Sequence, residues 1–186
     1  LEEALKKKEK YSHFVFLSGS CFPIKNNEYI LNYFTVSPNK EFIKYIDMRE
    51  SKNHYIKHIE NKWFKEPLFY SNFLLVKLID KVLRRILNSL SLKNNWNKSM
   101  VPYFGSQWIA ITPDCASYII NFQKKNPWFR KMNKYTFSPD EHYYHTIIGN
   151  SEYRFNSDGL QIFTGRGTYK LANFHLIDSS LSKWFT

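Results

Sequence analysis

Apolar positions change their spacing several times along the chain, and the changes mark out its elements. Leu1 to Lys10 is rich in helix formers and free of β-branched residues, and it leads into the apolar run His13-Phe14-Val15-Phe16-Leu17. Ser18-Gly19-Ser20 closes that run with turn chemistry, so a helix followed by a buried strand is predicted. Behind Pro23 and Asn26-Asn27, Glu28 to Phe34 reads as a short amphipathic helix, and Phe42 to Arg49 as a second strand. This strand-helix-strand rhythm predicts an α/β layer.

The clearest helix runs from Asn72 to Leu90. Leu75, Val82, Ile86 and Leu90, flanked by Leu78, Ile79 and Leu83, recur at three- and four-residue spacing, with Lys77, Asp80, Lys81, Arg84 and Arg85 opposite. Such a basic face is either solvated or laid on an anionic membrane. Beyond the polar stretch Ser91 to Ser99, Gly105-Ser106 reads as a turn, Trp108 to Ile111 as a strand, and Pro113-Asp114 as the start of a helix through Ile120 and Asn121. Asn126-Pro127 breaks the pattern. Ser138-Pro139-Asp140-Glu141 then has the cap, proline and acids of a helix start, predicting a helix through Ile148 that Gly149-Asn150 ends. Glu152 to Thr168 reads as a loop and Tyr169 to Ile177 as a last strand.

With 186 residues the chain has room for one domain with a sizeable core. Its 27 Lys and Arg outnumber 16 Asp and Glu, and a net charge of +11 favours anionic partners: nucleotides, nucleic acid or acidic membranes. Aromatics at 18% build core and binding surface alike and exclude a disordered tail. Cys21 and Cys115 are far apart and lack metal-ligand spacing, which points to a reducing compartment rather than a disulfide or zinc scaffold. No apolar run approaches the roughly 20 residues that cross a bilayer.

Against this basic background, adjacent Asp140 and Glu141 stand among four aromatics in YTFSPDEHYY. Two readings fit: both acids complement a helix dipole, or one faces a cleft where partial desolvation makes it a general base. His142 and His145, at i and i+3, fit a sugar or nucleotide contact better than a metal, because no further ligand is placed with them. Neither GxGxxG nor GxxxxGK[ST] occurs, and the six aspartates contain no DxD pair. Around Gly165-Arg166-Gly167, backbone amides with Arg166 and Lys170 suit a phosphate as well as an ordinary turn.

Three ordered stretches, FLSGSCFPIKNNEYI (Phe16 to Ile30), GSQWIAITPDCASYI (Gly105 to Ile119) and YTFSPDEHYYHTII (Tyr135 to Ile148), together resemble the core-2/I-branching β-1,6-N-acetylglucosaminyltransferases. That family also includes protein xylosyltransferases and bacterial members. The resemblance runs from Ser12 to Ile148 and more weakly to Thr186. It implies a GT-A-like α/β fold, here a single partial domain over residues 1–186, with a nucleotide-binding βαβ portion expected before it and a basic segment after it.

The resemblance further implies an inverting transferase that moves a sugar of the N-acetylglucosamine or xylose type from a UDP-sugar to a glycan hydroxyl, without a metal or other cofactor. Glu141 carries the family's general-base position, and Asp140 is expected to cap its helix. Glu50, Gln107, Trp108 and Asp140 are expected on the acceptor side, and Lys170 and Arg166 at the donor diphosphate. Cys21 stands where the family has Asp. The chain's Lys/Asn/Ile-heavy usage and scarce cysteine point to a bacterial cytoplasmic enzyme at the inner membrane surface, with the Golgi lumen as the eukaryotic alternative. Two other readings stay open: a catalytically silent fragment, and a basic, aromatic nucleic-acid-binding module. Carboxylates at the centre of the aromatic cluster disfavour the latter, since they repel a phosphate backbone.

Overall fold

Strand β2 (Glu41–Asp47) organises the molecule, being buried along its length apart from half-buried Lys44. The computed structural model describes residues 1–7, 11–19, 21–165, 171 and 173–174. On one edge β2 pairs antiparallel with β4 (Ala110–Ile111), Phe42 opposite Ala110, and then with β3 (Tyr103–Gly105), Tyr45 opposite Gly105 and Ile46 opposite Phe104. Its other edge takes β5 (Ser157–Leu160) in parallel, with Lys44 opposite Gly159. β1 (Phe14–Val15) lies beyond β4, antiparallel to it. Strands β1 and β2 therefore run parallel, as the strand-helix-strand rhythm predicts, with α2 (Asn27–Thr35) as their connection and β4 inserted between them.

Side chains of β2 alternate between two layers, as the period of a strand requires. Ile43 and Tyr45 join the larger core with Ile109 and Ile111 beneath α5 (Pro113–Lys125), α6 (Pro127–Asn133) and α7 (Tyr143–Gly149). Ile46 enters a second cluster with Met48, Tyr55, Ile59, Phe104 and Leu171. Each such apolar side chain contributes about 1.5–3 kcal/mol on burial. Buried Glu41 ties the layers together, accepting from the Thr112 amide at 2.9 Å and hydroxyl at 2.6 Å while Thr112 caps α5.

Several predicted elements take a different form. The helix predicted from Leu1 is a single turn, α1 (Glu2–Leu5), and residues 8–10 lie outside the described residues. Gly105 ends strand β3 instead of opening a turn, because backbone pairing with Tyr45 extends the sheet to it. The Asn126-Pro127 break separates two helices, since a proline at the first position of α6 loses no hydrogen bond there. Within the stretch read as a loop, β5 forms by parallel pairing with β2, which Gly159 permits at φ +74°. Most of the strand predicted over Tyr169 to Ile177 lies outside the described residues, and Leu171 packs in the second cluster.

Helix α4 (Leu74–Ser89) forms where its periodicity predicts, but the way it faces is reversed. Its one buried residue is Asp80, at 3% exposure, whereas Leu74, Leu75 and Leu78 are 83%, 68% and 58% exposed. The polar seam wins the inward side because it satisfies backbone groups of residues 64–69. Asp80 accepts from the amides of Leu68 at 2.6 Å and Phe69 at 3.2 Å, Arg84 donates to Lys65 O, and Asn88 exchanges two bonds with Phe64.

Candidate active site

The segment preceding Glu141 is held by a distant stretch of chain. Trp63 N donates to Tyr135 O at 2.7 Å and Phe137 N to His58 O at 2.9 Å, laying residues 135–137 along those that follow the short helix α3 (Lys57–Glu60) and along α3 itself. Ser138 then adopts φ +47°, a left-handed conformation, and Pro139–Glu141 form one 3-10 turn. His142 is non-helical at φ −140°, so α7 starts only at Tyr143. The continuous helix predicted from Ser138 is thus two pieces, and Ser138 makes no side-chain cap. Asp140 is exposed and does not cap α7 either; its effect on Glu141 is electrostatic.

Glu141 is half-buried, and among the described residues no donor is hydrogen-bonded to its carboxylate. Burial first, and then the like charge of Asp140, push its pKa up to about 7. A carboxylate so placed is a proton acceptor poised near neutral pH and not engaged elsewhere.

Behind it, α7 is bonded to the end of β3 and to Ser106, which follows it. Fully buried His145 donates Nε2–H to Ser106 O at 3.0 Å, since a carbonyl only accepts. Thr146 Oγ1 accepts from Tyr103 N at 3.1 Å, and Asn150 brackets Val101 with bonds of 3.1 and 2.8 Å. These contacts bring Ser106 to the element that follows Glu141, with Gln107 and Trp108, both half-buried, directly after it in sequence. His142 and His145 are themselves 0% exposed, so the reading of them as sugar or nucleotide contacts is corrected: they are core residues. Burial lowers both pKa values to about 3, and that of half-buried His58 to about 4.

Beside this turn stands an aromatic wall that no local periodicity in the sequence marks. Phe137 packs between His58 at 4.7 Å and Trp63 at 5.1 Å, with the Lys65 ammonium over the Phe137 ring at 5.3 Å. Trp63-Phe64 between Lys62 and Lys65 was the available clue, an aromatic pair set among cations. A partly exposed indole of this kind suits the apolar face of a sugar ring.

The other expected residues are less closely gathered. Glu50 is exposed at the end of a 3-10 turn that follows β2 and that Asp47 caps. Next to it in sequence, Ser51, Lys52 and His54 line a cavity of about 420 Å³ with Phe163, Thr164 and Gly165. A neighbouring cavity of about 430 Å³ lies over Ile46, Tyr55 and Leu160. Neither is lined by Glu141, so chemistry and not concavity locates the site. Arg166 and Lys170 lie outside the described residues. Cys21 is half-buried at the end of the Ser18 turn, where its Sγ accepts from Ser18 N at 3.2 Å. Among the described residues no group of three His, Cys, Asp or Glu side chains is disposed to hold a metal.

No curated protein matches the chain. The family model for the Core-2/I-Branching enzyme, Branch, matches residues 1–158. The motif carrying Glu141 and the one carrying Ser106, joined here by the His145 bond, both fall within that match. The chain belongs to the Core-2/I-branching enzyme family, a family of glycosyltransferases that take a nucleotide sugar as donor and a glycan as acceptor.

Proposed function

We propose that the chain carries the acceptor side of an inverting, metal-independent glycosyltransferase with a UDP-sugar donor and Glu141 as general base. The observation that carries this reading is the Glu141 carboxylate, raised to about 7 and left without a hydrogen-bond donor among the described residues. It accepts the proton of a glycan hydroxyl as that oxygen bonds to the anomeric carbon. The bond from that carbon to the UDP oxygen breaks on the opposite face, and its electron pair leaves with the diphosphate, so configuration inverts. A base with a pKa near 7 then returns the proton to solvent readily.

In this reading Gln107, Trp108 and Glu50 contact the acceptor, and Arg166 and Lys170 stabilise charge on the departing diphosphate. The lack of any DxD pair among the six aspartates supports doing without a metal. The GT-A arrangement is the fold proposed for the whole domain, consistent with the mixed sheet around β2.

The test is UDP release from UDP-N-acetylglucosamine, UDP-xylose and UDP-glucose in the presence of EDTA and glycan acceptors, for the wild type and Glu141→Gln. Release that survives EDTA and falls by about 10²–10⁴-fold in Glu141→Gln is expected. Full activity in Glu141→Gln removes the base assignment, and loss in EDTA removes metal independence.

A further inference from the structure

Helix α4 is an amphipathic helix with its sides reversed. Arg84 donates to Asp80 at 2.7 Å, and with Asn88 this pair is tied to the backbone of residues 64–69, so the polar seam is engaged by the rest of the chain. Leu75, Leu78, Ile79, Val82 and Ile86 stand outward at 47–68% exposure over about three turns. An apolar stripe this long on a folded surface marks a contact with something apolar.

Charge decides what that contact is. At 3.6 residues per turn Lys81 and Arg85 fall along one border of the stripe with Lys77 behind them, and all three are exposed. The helix has one acid, Asp80, and Arg84 already neutralises it inside the molecule. At its N-terminal end Tyr70, 84% exposed, is of the residue class that sits at a bilayer's headgroup level, and Phe69 and Phe73, 52% and 77% exposed, extend the apolar surface. A second copy would set the same cations against each other with no acid on this helix to receive them. Acidic headgroups complement both the cations and the stripe they border.

We infer that α4 lies in the plane of an acidic lipid surface, apolar face down, with Lys81 and Arg85 on the headgroup phosphates. Among the described residues no helix is long and apolar enough to cross a membrane, so the contact is peripheral. It stands independently of the transferase reading, because Asp80 and its partners set the helix's orientation without Glu141.

Flotation of the 186-residue chain with vesicles of phosphatidylglycerol and phosphatidylcholine, or of phosphatidylcholine alone, tests the inference, with light scattering in the absence of lipid. The wild type is expected to float with the mixed vesicles and to scatter as a monomer. Leu78→Glu/Val82→Glu, placed at exposed positions and checked by circular dichroism, is expected to lose at least about tenfold in partitioning. Lys81→Glu/Arg85→Glu is expected to lose about as much on acidic vesicles only. The inference is overturned if folded wild type stays off acidic vesicles, if both variants bind as it does, or if light scattering shows a dimer that Leu78→Glu/Val82→Glu dissociates.

Discussion

His145 donates to the carbonyl of Ser106 across 39 positions of sequence, and the two residues are completely buried where they meet. This bond couples the helix behind Glu141 to the end of β3, just before Gln107 and Trp108, so the placement of that strand end against α7 is a property of the core. Gly105 makes the approach feasible: a Cβ there would lie 2.5 Å from His145 Cδ2 and would also meet Lys44 O.

Gly105→Ala is therefore expected to destabilise the fold by about 1–3 kcal/mol, because a backbone carbonyl and a buried ring cannot both retreat. Urea unfolding measures it. An unchanged midpoint would mean that β3 and α7 are not packed this closely.

Acid sensitivity follows from the buried imidazoles. Their folded pKa values of about 4 for His58 and about 3 for His142 and His145 lie below the unfolded 6.5. Below pH 6.5 the unfolded chain takes up protons that the native chain refuses, so stability falls with pH until those lower values are reached. Glu141 opposes the trend by one proton, and Glu41 acts in the same direction, because burial raises both folded pKa values. Unfolding free energies measured between pH 6 and 4.5 are expected to drop by roughly 1–3 kcal/mol per pH unit. Replacing His142 with Phe should flatten that slope by one proton, whereas an equal slope in both proteins would place the titration elsewhere.

Much of this arrangement was legible in the residues, and what was not has physical reasons. Strand β2 and helix α5 announce themselves locally, through the run Phe42 to Arg49, of which Met48 and Arg49 instead join a 3-10 turn, and the Pro113-Asp114 start. Glu141 was legible through its motif, although its unengaged carboxylate was not. The three-residue β3 and four-residue β5 are strands because β2 pairs with them, a cause absent from their own sequence. Periodicity divided α4 into two faces but carried no information on which would be buried. That was decided by the unpaired amides of Leu68 and Phe69, which Asp80 satisfies. The wall formed by Trp63 and Phe137 was hidden for a similar reason, since it depends on pairing between distant segments.

Glu141 should weaken the fold near and above neutral pH. Its carboxyl has a folded pKa of about 7 against an ordinary 4.5, so as pH rises through that window the unfolded chain releases a proton that the native chain retains. Stability from this group is lost on the alkaline side. After allowance for its remaining solvent exposure, Glu141→Gln is expected to gain about 1–2 kcal/mol above pH 7 and nothing near pH 4. Thermal unfolding of both proteins at the two pH values distinguishes a desolvated carboxylate from one that water reaches freely.

Asp140 offers a separate handle on the same group, because it touches the pKa without supplying the base. With Glu141 acting as base, turnover rises with pH through about 7, as its carboxyl deprotonates. Asp140→Asn removes the second cause of the raised value, a like charge next door, and leaves the first, burial, in place. The acid limb of the pH-rate profile should move to lower pH, with activity relative to wild type highest below neutrality. Under saturating acceptor the plateau should fall modestly, since a less basic carboxylate accepts a proton less readily. An acid limb that stays where it is in Asp140→Asn while vanishing in Glu141→Gln would mean that burial alone sets the pKa of the base. If the limb persists in Glu141→Gln, another group is the one that titrates.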